Sequence, residues 1–412
     1  MPVAMFIFSH VDVLDAESGT LIKDRHVRVE GERIAEVSER PLSAPGARVI
    51  DARGKVLMPG LIDCHVHCLA SQLNLGRLAH MPNVLSVLRA VPILKGMLDR
   101  GFTTVRDAGG ADFSLAEAVR TGVIAGPRIF PSGRALSQTG GHGDMRERSV
   151  IIEPCGCTPK VGAIARVVDG VDAIRLAVRE EIQKGATQIK IMASGGVASP
   201  NDPIHFLGYS EDEIRAATSE AANAGTYVMA HAYTGKAIAR AVRCGVRTIE
   251  HGNLIDAESA AVMAEHGAIA VPTLITYDAL ASEGASLGLP PESVAKIEAV
   301  RGDGLRSLEI YAKAGVRMAF GSDLLGESQR LQSDEFVLRA QVLGAAEAIR
   351  AATVHAAFVL HRVGQLGVIA PGAMADLLLL DGNPLNDISL LRGQGDGLRL
   401  IMKDGRIHKD LS

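Results

Sequence analysis

Two patterns of hydrophobic and polar positions divide the chain. Near both ends, short runs of β-branched and apolar residues alternate with polar turns, a pattern typical of β-hairpins. The runs are Phe6 to Leu14, His26 to Glu30, Arg33 to Val37, Val49 to Ala52, Val56 to Met58, Gly367 to Ile369, Asp376 to Leu380 and Leu398 to Ile401. We therefore predict a small β-sandwich domain that both termini build, from residues 1–58 and 364–412.

The middle of the chain, residues 59–363, follows a different rule. Helical stretches end at a glycine, the usual left-handed residue that redirects the chain, and an apolar run follows at once. Such runs cover residues 102–105, 188–191, 227–230, 246–249, 268–271 and 316–319. Residues 61–62 and 128–130 bring the number of predicted strands to eight. Repeated βα units form a parallel sheet, and eight strands close a (β/α)₈ TIM barrel, so the predicted fold class is α/β.

The carboxyl ends of the predicted barrel strands carry chemically active side chains, and active sites of such barrels collect there. The candidates are His65 and His67 on the first strand, Lys190 on the fourth, His231 on the fifth, His251 on the sixth and Asp323 on the eighth. The strand period of two puts His65 and His67 on one face, where both can reach one metal ion. His231 and His251 end neighbouring strands and can share a second ion.

Lys190 is unusual because apolar residues surround it in the sequence Ile189-Lys190-Ile191-Met192. Lysine is rarely buried without a partner, and burial lowers its pKa. One interpretation is a lysine whose amine reaches the rim of the barrel. The other is a neutral amine that adds CO₂ and becomes a carbamate, an anion able to bridge two metal ions.

Composition narrows the classes of function. Hydrophobic residues make up 47 %, charged residues 22 % and the formal charge is −4, which fits an ordinary globular enzyme without a basic run for nucleic acid. No segment has the ~20 apolar residues of a membrane span, and the N-terminus does not resemble a signal peptide. Five cysteines, an odd number, favour reduced thiols. We expect a cytoplasmic homo-oligomer that acts on small molecules, with neither nucleic acid nor membrane as a partner.

The motifs resemble those of the amidohydrolase superfamily, in particular its binuclear branch with a carboxylated lysine. Residues 59–67 (PGLIDCHVH) resemble the entry motif, and residues 371–377 (PGAMADL) resemble the return into the terminal β-sandwich. Residues 137–144 (SQTGGHGD), 190–196 (KIMASGG) and 231–234 (HAYT) are similar to the Xaa-Pro dipeptidase (prolidase)-like carboxypeptidases of the superfamily.

The resemblance implies two divalent metal ions. His65, His67 and Asp323 would hold the more buried ion, and His231 and His251 would hold the other. Carboxylated Lys190, with its carbamate derived from CO₂, would bridge the two ions. Ligands of this kind suit Zn²⁺ and also accept Mn²⁺ or Co²⁺. A hydroxide between the ions would attack the scissile carbonyl, and Asp323 would pass its proton to the leaving nitrogen.

The leading prediction is a hydrolase that cleaves the amide bond of a dipeptide or N-acyl amino acid with a free C-terminal carboxylate. His142 and Tyr233 would contact the carbonyl or the carboxylate of the substrate. Inside the superfamily, a cyclic-amide hydrolase and a mononuclear deaminase are alternatives. The deaminase fits less well because His231 lacks the acid of a His-x-x-Glu pattern and Lys190 is present. A non-catalytic barrel scaffold is the alternative from another class, against which the complete set of six ligands argues.

Overall fold

A computed structural model describes residues 4–146, 160–199, 202–286, 289 and 291–412. Its strands are β1 (Met5–Asp15), β2 (Thr20–Glu30), β3 (Arg33–Ser38), β4 (Arg48–Asp51), β5 (Val56–Pro59), β6 (Leu61–Val66), β7 (Phe102–Asp107), β8 (Arg128–Phe130), β9 (Ala135–Ser137), β10 (Ala165–Val167), β11 (Ile189–Met192), β12 (Val228–Thr234), β13 (Thr248–Leu254), β14 (Ile269–Val271), β15 (Leu377–Leu380), β16 (Leu398–Lys403) and β17 (Arg406–Asp410). Cysteines 64, 68 and 244 are buried free thiols, and cysteines 155 and 157 lie outside the described residues.

The helices connect the middle strands and continue to residue 359. They are α1 (Leu75–Ala79), α2 (Asn83–Asp99), α3 (Phe113–Arg120), α4 (Val171–Gln183), α5 (Glu211–Asn223), α6 (Gly235–Arg243), α7 (Ala257–Glu265), α8 (Leu274–Glu283), α9 (Pro291–Arg301), α10 (Gly304–Lys313), α11 (Glu335–Leu343), α12 (Ala345–Ala351) and α13 (Val354–Val359). Two 3₁₀ helices cover Gly326–Asp334 and Ile388–Leu391. None of the described helices combines the length and the apolar character that crossing a membrane requires.

Strands from both ends of the chain form one eight-stranded sheet, hereafter the terminal sheet. Its order is β17-β16-β15-β5-β1-β2-β3, and β4 also pairs with β1. β5 pairs antiparallel with β15 from Leu377 opposite Pro59 to Leu380 opposite Val56. The predicted strand at residues 367–369 is wrong, because Gly367 and Val368 lie in a bend and Ile369 is in no regular element. Gly367 has φ +72° there, which interrupts an extended backbone.

The four consecutive leucines of β15 explain how the terminal sheet is attached to the rest of the chain. Leu377 and Leu379 lie in the apolar core of that sheet, whereas Leu378 and Leu380 pack in the same cluster as Leu94 of α2. Successive residues of a strand point to opposite faces, so both faces of β15 are buried. Each fully buried leucine stabilises the fold by about 1.5–3 kcal/mol, and the continuous apolar run follows from burial on both faces.

The predicted middle strands are present as β6, β7, β8, β11, β12, β13 and β14, in parallel sheets of order β6-β7-β8 and β10-β9-β11-β12-β13-β14. β9 and β10 were not predicted. Residues 316–319, all of them described, form no regular strand, and Met318 makes only an isolated parallel bridge to Ala270. The N–H of Ala319 still donates to the carbonyl of Ala270 (2.9 Å), so this run lies beside β14 as expected.

Backbone hydrogen bonds join segments that flank the two parallel sheets at two places. The N–H of Thr187, before β11, donates to the carbonyl of Pro131, after β8 (2.8 Å). On the opposite side, the N–H of Cys64 in β6 donates to the carbonyl of Phe320 (2.8 Å). The strands are therefore arranged as an α/β fold of parallel sheets that is consistent with a TIM barrel. Their carboxyl ends lie at one end of the assembly.

Arg128, at the start of β8, joins the parallel strands to the terminal sheet. Its guanidinium pairs with Asp376 (2.7 Å) and with Asp404. Burial alone would lower the pKa of Arg128, but the two carboxylates raise it.

We expect Arg128→Met to lower the free energy of unfolding by about 2–3 kcal/mol in urea titrations, because Asp376 stays buried without its partner. Arg120→Met removes an exposed pair with Glu117 and should cost less than about 1 kcal/mol. Equal losses in the two variants would contradict this role.

Candidate metal centre

Three predicted ligands, His65, His67 and Asp323, converge at the carboxyl end of the parallel strands. Nε2 of His65 and Nε2 of His67 lie 3.4 Å and 3.3 Å from Oδ1 of Asp323. The histidines share one face because they are two residues apart, and Asp323 is tied to them by its N–H, which donates to the His65 carbonyl (2.9 Å). Two imidazoles and a carboxylate form a donor set that suits zinc.

Hydrogen bonds determine which nitrogen of each of these rings is available. Nδ1 of His65 lies 2.7 Å from a carboxylate oxygen of Glu250, and Nδ1 of His67 lies 3.0 Å from the carbonyl oxygen of Gly109. Ionised carboxylates and carbonyls only accept, so Nδ1 carries the proton and Nε2 keeps its lone pair. Nε2 of His65 is buried and has no hydrogen-bond partner within the described ranges. A buried nitrogen of this kind is costly unless a cation pairs with it, so the residues fit a metal ion.

His231 and His251 lie next to this cluster on β12 and β13. Their ring centroids are 4.7 Å apart, and the ring of His251 is 4.8 Å from that of His65. Nε2 of His231 donates to the carbonyl of Gly195 (3.1 Å), which leaves Nδ1 as the free nitrogen. Burial lowers the pKa of both histidines well below the ordinary range, which keeps them neutral, as metal ligands must be.

Two of the predicted ligands have a left-handed backbone, with φ +70° at His251 and +52° at Asp323. Such a conformation is uncommon outside glycine and costs about 1–3 kcal/mol. At His251 it has a direct effect. Regular alternation along β13 would turn Glu250 and His251 to opposite faces, yet Glu250 bonds to His65 and His251 lies against the same ring. The left-handed residue therefore brings two adjacent side chains to one site.

Lys190 faces the interior of the parallel strands. Its neighbours Ile189 and Ile191 pack in the apolar cluster with α4 and α5, so the period of two directs Lys190 to the other side. Its side chain is 2 % exposed. Burial lowers the pKa of Lys190 to about 8, against the opposing charges of Glu250 and Asp323. More of this amine is neutral near pH 7 than in an ordinary lysine, and the neutral form is the one that reacts with CO₂.

His142, a predicted substrate contact, lies beside the candidate metal centre. Its ring stacks on that of His231, with centroids 4.1 Å apart and 21° between planes. Nδ1 of His142 is 2.6 Å from the Ser199 hydroxyl and 3.3 Å from an Asp202 oxygen. Burial would raise the pKa of Asp202, but His142 lowers it. Lys296 of α9 donates to the carbonyls of residues 196, 199 and 202, which holds this segment over His142.

Tyr233 is also adjacent to the centre, with its ring 4.8 Å from that of His231 in an edge-on arrangement. The hydroxyl of Tyr277, on α8, donates to the hydroxyl of Tyr233 (2.8 Å). The Tyr233 oxygen is thus an acceptor in this bond, and its own O–H can donate to another group. Burial raises the pKa of Tyr233, so the hydroxyl keeps its proton.

The sequence analysis did not identify the residues that bond to the predicted site residues. They are Glu250, which bonds to His65, Arg106, which bonds to Glu250, and Tyr277, which bonds to Tyr233. One signal was available for Glu250, because it is an acid directly before His251 at the end of an apolar run. Arg106 is fully buried and donates to both carboxylate oxygens of Glu250 at 3.0 Å. Asp107, beside it, accepts from three backbone N–H groups and organises a turn.

This geometry agrees with the comparison to known families. The model of the amidohydrolase family matches residues 56–407, which is most of the chain. The protein therefore belongs to the amidohydrolase family, and it is a hydrolytic enzyme that acts on amide bonds. The resemblance inferred from the sequence motifs is confirmed.

Individual relatives narrow the comparison. The chain is 33 % identical to ochratoxinase of Aspergillus niger over 375 residues, covering 87 % of this chain and 76 % of that one. A crystal structure of a prolidase complexed with N-methylphosphonate-L-proline is 62 % identical, with a TM-score of 0.97 and coverage of 99 % and 100 %. A Xaa-Pro dipeptidase with bound methionine in its active site is 28 % identical, with a TM-score of 0.87 and coverage of 98 % and 100 %. The structural neighbours thus include prolidase-like amidohydrolases, which argues further against a non-catalytic scaffold.

Proposed function

We propose that this enzyme hydrolyses the amide bond of a dipeptide or an N-acyl amino acid with a free C-terminal carboxylate. The observation that carries the proposal is the 62 % identical prolidase, whose ligand N-methylphosphonate-L-proline presents the carboxylate of proline. The positions of His142 and Tyr233 support it, because both rings lie against His231 and offer polar groups beside the metal centre.

We infer that the centre holds two divalent ions, with zinc as the metal that the donor set suits best. The proposed ligands are His65, His67 and Asp323 for one ion and His231 and His251 for the other, with the carbamate of Lys190 between them. The unpaired Nε2 of His65 and the buried amine of Lys190 support this assignment. Such ions, when bound, activate water and polarise the carbonyl of an amide.

The protein's own groups would move the proton and orient the substrate. Burial would raise the pKa of Asp323, but the neighbouring imidazoles of His65, His67 and His251 lower it well below the ordinary range. Asp323 is therefore ionised and can accept the proton of the attacking water, then deliver it to the leaving nitrogen. The O–H of Tyr233 can donate to a carbonyl or carboxylate oxygen of the substrate.

We also propose that residues 59–363 close into a (β/α)₈ barrel and that residues 1–58 and 364–412 form a composite β-sandwich domain. The backbone hydrogen bonds from Thr187 to Pro131 and from Cys64 to Phe320 support closure. The terminal sheet, with strands from both ends, supports the composite domain. A homo-oligomer in the cytoplasm stays a prediction.

The substrate carboxylate provides the test. Buried donors that lose their partner cost about 1–3 kcal/mol each, so amidation of the C-terminus of a dipeptide should lower kcat/KM by ~10-fold or more. Tyr233→Phe should reduce this discrimination and leave metal content unchanged. Steady-state kinetics on matched acid and amide dipeptides, with Zn²⁺-loaded protein, measure both effects.

Tyr209→Phe is the matched control for the Tyr233 variant. Tyr209 is equally buried, but its hydroxyl donates to the carbonyl of Val168, away from the metal centre. It should preserve the preference for the free acid. An enzyme that ignores dipeptides and instead opens cyclic amides or deaminates a heterocycle would make one of the two superfamily alternatives the correct function.

A further inference from the structure

Glu250, Arg106 and Thr248 form a polar network inside the parallel strands. Arg106 donates to both carboxylate oxygens of Glu250 at 3.0 Å, and the Thr248 hydroxyl donates to Oε1 of the same carboxylate (2.6 Å). The side chains of Arg106 and Glu250 are 0 % exposed. Each oxygen of this buried carboxylate accepts from the guanidinium, which is the contact that an ionised carboxylate makes with arginine.

Stability does not explain such a pair. The cost of removing two charges from water offsets most of their attraction, and apolar residues of similar volume often stabilise a core equally well. The other contacts of the pair are with His65 and with the residue before it. Oε2 of Glu250 lies 2.7 Å from Nδ1 of His65, and Nε of Arg106 donates to the carbonyl of Cys64, one residue earlier (2.6 Å). Arg106 thus holds the backbone before His65, and through Glu250 it also holds the His65 ring.

We propose that Glu250, held by Arg106, is a positioning residue that keeps the proton of His65 on Nδ1 and directs the bare Nε2 at the metal ion. This inference rests on the proposed metal centre. A carboxylate is the partner required, because it accepts at both oxygens. Oε1 serves Arg106 and Thr248, and Oε2 serves Arg106 and His65.

The isosteric change Glu250→Gln exposes this requirement. A glutamine keeps one acceptor oxygen. Arg106 donates at both positions, so Thr248 and His65 decide where that oxygen lies. The Thr248 hydroxyl already accepts from Nη1 of Arg106 (3.1 Å), so its proton is directed at the Oε1 position and favours the oxygen there, whereas imidazole can move its proton to the other nitrogen. The amide NH₂ then faces His65, which must accept with Nδ1 and move its proton to Nε2. Protonated Nε2 cannot bind a metal ion, so the substitution should weaken metal binding without changing the volume of the site.

Glu335→Gln is the matched control. Glu335 pairs with Arg339 at 2.8 Å, both side chains are also 0 % exposed, and neither bonds to a predicted ligand. Zn²⁺ affinity is measured by competition with a chromogenic chelator for the wild type and both variants. We expect Glu250→Gln to raise the Kd of the more tightly held ion by about 10–100-fold and Glu335→Gln to leave it unchanged. Unchanged affinity in Glu250→Gln, or equal weakening in both variants, would overturn the inference. A wild type that binds no Zn²⁺ would refute the proposed metal centre itself.

A measurement on the wild type keeps the inference testable if Glu250→Gln does not fold. The ¹⁵N chemical shifts of His65 in metal-free protein distinguish a protonated Nδ1 from a protonated Nε2, with assignment through a His65→Gln sample. We expect protonated Nδ1 and bare Nε2. The opposite tautomer would overturn the role of Glu250, even if the metal centre and the hydrolytic activity proved correct.

Discussion

Replacement of Lys190 by alanine should remove bound metal and hydrolytic activity together. If the carbamate of Lys190 bridges two ions, wild-type protein produced with ample zinc should hold close to two ions per chain. The variant loses the bridging anion and leaves closely spaced cations with less negative charge between them, so both affinity and turnover should fall. Elemental analysis of dialysed protein, with kcat/KM on the same samples, measures the two losses.

Bicarbonate and a second lysine sharpen this test. Wild-type protein stripped of metal should recover activity faster with Zn²⁺ plus bicarbonate than with Zn²⁺ alone, and Lys190→Ala should not respond. Lys184→Ala is the control, because Lys184 lies between α4 and β11, its side chain is half exposed and its amine pairs with Glu181 (3.4 Å). A full complement of one ion, the same in wild type and Lys190→Ala, would eliminate the binuclear centre.

Asp323→Asn should lower kcat by at least ~10²–10⁴-fold, the usual contribution of a general acid–base group, with loss of metal adding to it. Asparagine keeps the size of the side chain but cannot accept and pass on the proton. Much of the fold should remain, since the backbone bond from residue 323 to His65 is retained. Circular dichroism, metal content and single-turnover rates separate these effects.

Asp256→Asn provides the comparison for that variant. Asp256 caps α7 by accepting from the N–H of Ser259, and asparagine caps a helix equally well, so fold and turnover should be unchanged. Near-normal turnover of Asp323→Asn with its metal still bound would refute the proton-transfer role.

The sequence predicted the positions of the candidate ligands better than their surroundings. Spacing within one strand is local information, so His65 and His67 were expected on one face, and the apolar neighbours of Lys190 indicated burial. The partner of His65 is Glu250, 185 residues away, and only the tertiary arrangement of β6 and β13 brings them together. The same reason applies to Tyr277, which is unremarkable in the sequence of α8.

The hydrophobic pattern also predicted strands at places where the backbone forms no regular strand pairing. Residues 316–319 have the apolar composition of a strand, yet Met318 makes only one isolated bridge. Residues 367–369 are apolar because Val368 and Ile369 pack on the core of the terminal sheet, although neither lies in a strand. Burial, rather than strand formation, accounts for their composition.

The pairing of β5 with β15 constrains when this enzyme can complete its fold during translation. Residues 56–59 emerge more than 300 positions before their antiparallel partner at 377–380, so for most of translation β5 has a free edge. Leu57 and Met58, on opposite faces of β5, then lack the leucines of β15 that pack in the same clusters. Exposed apolar edges of this kind recruit other chains. The nascent enzyme therefore depends on protection, by a chaperone or by prompt folding of the intervening βα units, until its last strands arrive.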